Sequence, residues 1–124
     1  MERILVIEDN PMVVKSLEFK LNRDGYDVAI AVDGREAIKF LEEGSFDLIL
    51  TDLMLPFVAG NQLIQYIKEN LPGTPIIVLS TSKQENIIMD AFNLGVDDFI
   101  TKPFNPNELS LRVKRFLKKN SFSG

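Results

Sequence analysis

A doubly wound α/β domain is expected from three features of this 124-residue chain. Apolar runs rich in Ile, Val and Leu recur five times, segments with helical spacing separate them, and the connections are only a few residues long. Runs this short and this apolar fit parallel strands buried on both faces. Strict alternation of strand and helix then calls for right-handed crossovers, which lay helices against both sides of one sheet.

The elements follow in order. The first strand is Ile4 to Ile7. Asn10-Pro11 opens a helix carrying Val13, Val14, Leu17 and Leu21, because Asn offers a side-chain oxygen to unpaired N–H groups and Pro suits the first helical position; Asp24-Gly25 stops it. After the second strand, Val28 to Ala31, Asp33 and Glu36 form a capping box ahead of Ala37, Ile38 and Leu41, with Gly44 as the stop. The third strand, Leu48 to Leu50, leads to a helix around Leu63, Ile64 and Ile67 that ends before Leu71-Pro72-Gly73. The fourth is Ile76 to Leu79, followed by Ser82 and Glu85 capping Ile87, Ile88, Ala91 and Phe92, with Gly95 at the end. The fifth, Phe99-Ile100, precedes Asn105-Pro106 and Glu108, which open a last helix with Leu109, Val113, Phe116 and Leu117. Residues 1–119 are assigned to this single domain and 120–124 to a flexible tail or linker stub.

Composition narrows the chemistry. With no cysteine and no histidine, a disulfide scaffold, a Cys/His zinc site and any nucleophile dependent on a histidine base are excluded, so a metal would have to sit on oxygen ligands. No apolar stretch approaches the ~20 residues that cross a bilayer, and a cytoplasmic protein with no membrane partner is expected. A formal net charge of −4 disfavours direct nucleic-acid binding, which wants a basic patch.

In open α/β sheets the functional crevice lies beyond the carboxyl ends of the strands. The residues there are Glu8-Asp9, Thr51-Asp52, Ser80-Thr81-Ser82 and Thr101-Lys102-Pro103. A single Asp after a strand is most often a helix cap or loop residue, but three carboxylates brought together repel unless a cation neutralises them. All-oxygen ligation suits Mg²⁺ with several retained waters, so the cluster predicts a divalent site.

Glu8-Asp9, Thr51-Asp52-Leu53-Met54-Leu55-Pro56 with Gly60, Ser80-Thr81 and Lys102-Pro103-Phe104, in this order and spacing, resemble the signature of bacterial two-component response-regulator receiver domains, the CheY-like family. The resemblance covers nearly the whole chain and implies a flavodoxin-like (βα)5 sheet of strand order 2-1-3-4-5. It implies that Asp52 accepts a phosphoryl group from a sensor histidine kinase or phosphotransfer protein. Glu8, Asp9, Asp52 and the backbone carbonyl of Met54 would hold Mg²⁺ or Mn²⁺. Lys102, preceding a cis bond to Pro103, would face the acceptor. Ser80 and Thr81 would meet the phosphoryl group, and Phe99 would swing inward with the Ser80 hydroxyl, altering the surface of the fourth and fifth helices and the strand between them. Met54 and Ser82 would tune the phosphoryl lifetime. Such a protein is a switch and not an enzyme in the turnover sense, beyond self-catalysed phosphotransfer and autodephosphorylation.

Departures from the commonest family pattern are Glu8 for Asp, Ser80 for Thr, Phe99 for Tyr, and the β-branched Thr81 where a smaller residue is usual. Thr81 is expected to slow turnover by narrowing access. Asp97, Asp98, Glu108, Arg112 and Arg115 resemble the face through which receivers of winged-helix transcription factors dimerise on phosphorylation, although a solvated charged face would look the same. Lys114, Lys118 and Lys119 suit a helix C-terminus. Among alternatives, an aspartyl phosphohydrolase would carry a second Asp where Met54 stands, and a nucleotide binder would show a glycine-rich fingerprint. A pseudo-receiver, a protein-interaction module without phosphotransfer, is the strongest rival, and the occupied chemical positions argue against it.

Overall fold

The computed structural model describes residues 2–81 and 85–121, with side chains as far as residue 117. Five strands, β1 (Arg3–Ile7), β2 (Asp27–Ala31), β3 (Leu48–Thr51), β4 (Ile76–Ser80) and β5 (Asp98–Thr101), alternate with five helices. The helices are α1 (Pro11–Arg23), α2 (Gly34–Glu43), α3 (Gly60–Asn70), α4 (Glu85–Asn93) and α5 (Pro106–Ser121). All strand pairs are parallel, in the order β2-β1-β3-β4-β5.

The two-residue period of a strand divides the core. Leu5, Ile7, Ile49, Ile76 and Val78 point to one side and pack with Ala37 and Leu41 of α2, Leu63, Ile64 and Ile67 of α3, and Ala91 of α4. Ile4, Val6, Leu48, Leu50, Ile77 and Leu79 point to the other side, against Leu17 and Leu21 of α1 and Leu109, Val113 and Leu117 of α5. Each Leu, Ile or Val among them contributes about 1.5–3 kcal/mol when fully buried. Burial on both faces holds for β1 from Ile4, β3 and β4; β2 and β5 are half-buried, because this order leaves each of them on a sheet edge.

Helix ends follow the capping logic with small differences. The Asn10 side chain accepts hydrogen bonds from the Met12 and Val13 N–H groups, and Asn105 from those of Asn107 and Glu108. Asp33 accepts from the Glu36 N–H at 2.9 Å, but Glu36 reaches back to the Val32 N–H at 3.0 Å, one residue before the cap. Gly25 and Gly95 take the left-handed conformation, with φ +97° and +102°, whereas Gly44 stops α2 in extended backbone. The expected Ser82 cap of α4 lies outside the described residues.

Candidate functional site

Chain reversal in the strand order creates the site. β1 lies between β2 and β3, so helices leave it and β3 toward opposite faces, and a crevice opens beyond the two strand ends. The Ile7–Thr51 register sets Glu8 beside Asp52. Both strands run one bond further: Asp52 N–H donates to the Ile7 carbonyl and Glu8 N–H to the Ala31 carbonyl, each at 3.0 Å. Lys102 arrives from the far side of β4 after the Ser80–Thr101 pairing, its N–H donating to the Ser80 carbonyl at 2.9 Å.

Glu8, Asp9 and Asp52 each bring a carboxylate oxygen within 4.8 Å of the other two. Glu8 and Asp52 are buried, and Asp9 is exposed at the rim. The Lys102 ammonium donates to Asp52 Oδ2 at 2.7 Å and also to Glu8 Oε1. Backbone amides complete the set, with Asn10 N–H on Glu8 Oε2 at 3.1 Å and Met54 N–H on Asp52 Oδ1 at 3.0 Å. Burial pushes the Glu8 carboxyl above its ordinary range, more strongly than Lys102 and the Asn10 N–H pull it down. Burial alone would lower the Lys102 ammonium, but its hydrogen bonds to Asp52 and Glu8 prevail and hold it above the usual lysine value. Three carboxylates balanced by one ammonium leave a net negative, all-oxygen donor set. That chemistry fits a hard divalent cation entering from the exposed Asp9 side.

The remaining predicted residues surround this cluster unequally. The Lys102–Pro103 peptide bond is cis. Ser80 is buried at the end of β4, exposed Thr81 follows it, and half-buried Phe99 stands in register with Val78 against the α4-side core. The Met54 side chain is 74% exposed, and Ser82 lies outside the described residues. Asp98, Glu108 and Arg112 pair within the chain: Arg112 Nη1 donates to Asp98 Oδ1 at 2.7 Å and Nη2 to Glu108 Oε1 at 3.0 Å. Asp97 instead accepts the Ile76 N–H at 2.8 Å, and the Arg115 guanidinium lies 5.6 Å from the Phe116 ring centroid. A cleft of about 250 Å³, lined by Met12, Val13, Ser16, Pro103 and Phe104, adjoins Lys102.

Four contacts hold the loop that follows Asp52, one of them the Gly34 N–H donating to the Pro56 carbonyl at 3.5 Å. A Cβ on Gly60 would stand 2.4 Å from the Leu53 carbonyl oxygen, so only glycine lets α3 start this close to the end of β3. Gly34 meets Val58 in the same way, and the Arg35 guanidinium lies 3.5 Å from the Phe57 ring centroid. Gly60 belongs to the motif, whereas Gly34, Arg35 and Phe57 carry no motif signal. The nearest sequence clue is a cation in the first turn of α2, where the helix dipole disfavours one.

Comparison with known proteins gives the same reading. Residues 4–114 match the family "Response regulator receiver domain". The chain is 37% identical over 122 residues to the alkaline phosphatase synthesis transcriptional regulatory protein PhoP of Bacillus subtilis, covering 98% of this chain and 51% of that protein. It is 40% identical over 119 residues to the transcriptional regulatory protein ResD of the same organism, covering 96% and 49%. The chain thus spans about half the length of the curated relatives it matches. Among solved structures, a CheY-like response regulator receiver domain protein from Methanospirillum hungatei superposes with a TM-score of 0.92 at 29% identity, covering 100% of this chain and 99% of that one. The receiver domain of a signal transduction histidine kinase from Syntrophus aciditrophicus gives 0.90 at 32% identity, covering 100% and 96%. This chain belongs to the response regulator receiver domain family, the signalling domains of two-component systems. Its fold is the CheY-like, flavodoxin-type sheet. No helix among the described residues is long and apolar enough to cross a membrane.

Proposed function

We propose that the chain is a phosphorylation-dependent switch whose acceptor is Asp52 and whose donor is a phosphohistidine on a sensor kinase or phosphotransfer protein. The observation that carries this reading is the convergence of Glu8, Asp9 and Lys102, from the ends of β1 and β5, on the buried Asp52 carboxylate at the end of β3. An Asp52 carboxylate oxygen attacks phosphorus, a P–O bond forms as the P–N bond to histidine breaks, and the imidazole leaves with the electron pair. The step needs a positioned nucleophile and charge neutralisation more than a base, which suits a chain without histidine.

Glu8, Asp9, Asp52 and the Met54 carbonyl would hold Mg²⁺ or Mn²⁺. That ion, when bound, would supply positive charge to offset the negative charge of the carboxylates and the phosphoryl group. Lys102 holds the Asp52 carboxylate by a charge-assisted hydrogen bond and is placed to follow a transferred phosphoryl group. Ser80 donates its hydroxyl to that group and Phe99 repacks in response, with Thr81, Met54 and Ser82 setting water access and so the lifetime. The cleft between α1 and the Pro103-Phe104 turn, with Met12 80% exposed at its edge, suits a docking helix of the donor. Phosphorylation would then promote homodimerisation through Asp97, Asp98, Glu108, Arg112 and Arg115, without direct nucleic-acid contact by this domain.

Intact mass after incubation with Mg²⁺ and acetyl phosphate tests the reading. A phosphate adduct is expected for the wild type and not for Asp52→Asn or in EDTA. Absence of an adduct from both acetyl phosphate and a panel of phosphorylated kinases would favour the pseudo-receiver.

A further inference from the structure

The loop from Asp52 to α3 contains a strained turn that α2 holds in place. Phe57 has φ +72°, the only positive φ outside glycine among the described residues. The Val58 N–H donates to the Pro56 carbonyl at 2.9 Å, closing a three-residue γ-turn with Phe57 at its centre. That turn is rare and strained for a residue with a Cβ, and such strain persists only where neighbours over-determine it.

The neighbours are on α2. Val58 sits in the space left by Gly34, where an added Cβ would come within 2.4 Å of Val58 Cβ, and the Arg35 guanidinium covers the Phe57 ring at 3.5 Å. Phe57 is 69% exposed even with Arg35 against its ring, so burial does not keep it there. Helix stability does not explain Arg35 either, since a cation in a first helical turn opposes the macrodipole. The same loop carries Met54, whose N–H orients Asp52 Oδ1.

We infer that Arg35 is a positioning residue: its stack on Phe57 locks the strained 56–58 turn and so fixes the Asp52–Met54 segment for cation binding and phosphoryl acceptance. The inference rests on the phosphoacceptor reading for its consequence, not for its geometry. Arg35 touches none of the reacting groups and acts through the turn. Glycine at position 57 accepts φ +72° without strain and so makes the stack unnecessary.

A double-mutant cycle decides it, read by amide hydrogen exchange at Met54 and, separately, by calorimetric titration with Mg²⁺ alone. Arg35→Ala is expected to speed Met54 exchange and weaken Mg²⁺ binding by roughly tenfold each, with amides of β4 unchanged as the internal reference. Phe57→Gly is expected to match the wild type in both, and adding Arg35→Ala to it to change neither. Wild-type exchange in Arg35→Ala, or the same effect of Arg35→Ala in both backgrounds, overturns the inference. The expected exchange pattern in a wild type that binds no Mg²⁺ would sustain the latch and sink the phosphoacceptor reading.

Discussion

The Lys102 ammonium lies 2.7 Å from Asp52 Oδ2, bridging the ends of β5 and β3 across the intervening β4. Its second partner, Glu8, is buried, so one cation neutralises two carboxylates in the space that a divalent ion would share. On the proposed reading, lysine and a divalent ion would be partners in charge and competitors in position.

Lys102→Met should expose that competition. Without the ammonium, two buried carboxylates lose their counter-charge, and the metal-free protein is expected to lose about 3 kcal/mol. Mg²⁺ should bind more tightly than in the wild type and restore part of that loss. Urea unfolding with and without 10-fold excess Mg²⁺ measures both (about 1–3 kcal/mol per molar urea is an ordinary slope). Equal destabilisation in the presence and absence of Mg²⁺ would refute the shared site.

Acid should release the metal early. Burial raises the Glu8 carboxyl above its ordinary 4.5, so Glu8 takes up a proton at a higher pH in the folded chain than in the unfolded one. Folded protein then binds more protons than unfolded protein in the window above 4.5, and this group's contribution to metal-free stability falls as pH rises through it. Mg²⁺ affinity has the opposite sign, because the metal needs the carboxylate, and should fall on acidification with a midpoint above 4.5. Calorimetric Mg²⁺ titrations between neutral and acidic pH check this, with Glu8→Gln removing the dependence.

Gly60→Ala should be costly where Gly73→Ala is not. The new Cβ would collide with the Leu53 backbone at 2.4 Å, whereas at Gly73 nothing lies within 4 Å. A loss of about 2–3 kcal/mol is expected for the first and a change within about 0.5 kcal/mol for the second, read from thermal unfolding. Met54 amide shifts should move only in Gly60→Ala.

Arg112 already has partners within its own chain, which constrains any dimer built on that face. Asp98 Oδ2 is buried with no hydrogen bond among the described residues, and Oδ1 accepts from both Arg112 and the Phe99 N–H, so Arg112→Ala would leave the carboxylate with that one backbone bond and no counter-charge. Arg112 is partly exposed and solvent screens the pair, so the expected cost is about 1 kcal/mol. If phosphorylation exchanges this pair for one across subunits, sedimentation of the acetyl phosphate-treated protein should show a dimer in the wild type and a monomer in Arg112→Ala. Dimers in both would place the interface elsewhere.

Local sequence determined more of this protein than long-range sequence could. Five Ile/Val/Leu runs, three Asx-type caps and the stops at Gly25 and Gly95 are local signals, because strand burial and helix capping are settled within a few residues. Four polar clusters after the strands were legible in the same way, and the family pattern gave them an order. Tertiary structure alone decided how those clusters meet. Lys102 reaches Glu8 across 94 residues of chain only because β4 and β5 pair in the Ser80–Thr101 register, and no local pattern encodes a parallel register. Half-burial of β2 and β5 depends on which strands fall at the edges. Intrachain pairing of Asp98 with Arg112 depends on how α5 lies against β5. The Gly34–Val58 and Arg35–Phe57 contacts join helix α2 to the loop after Asp52 with no shared motif, and the positive φ of Phe57 has a neighbour from that helix against it. Strain and ion pairing arise from atoms distant in sequence and adjacent in space, so they become readable only once the chain has folded.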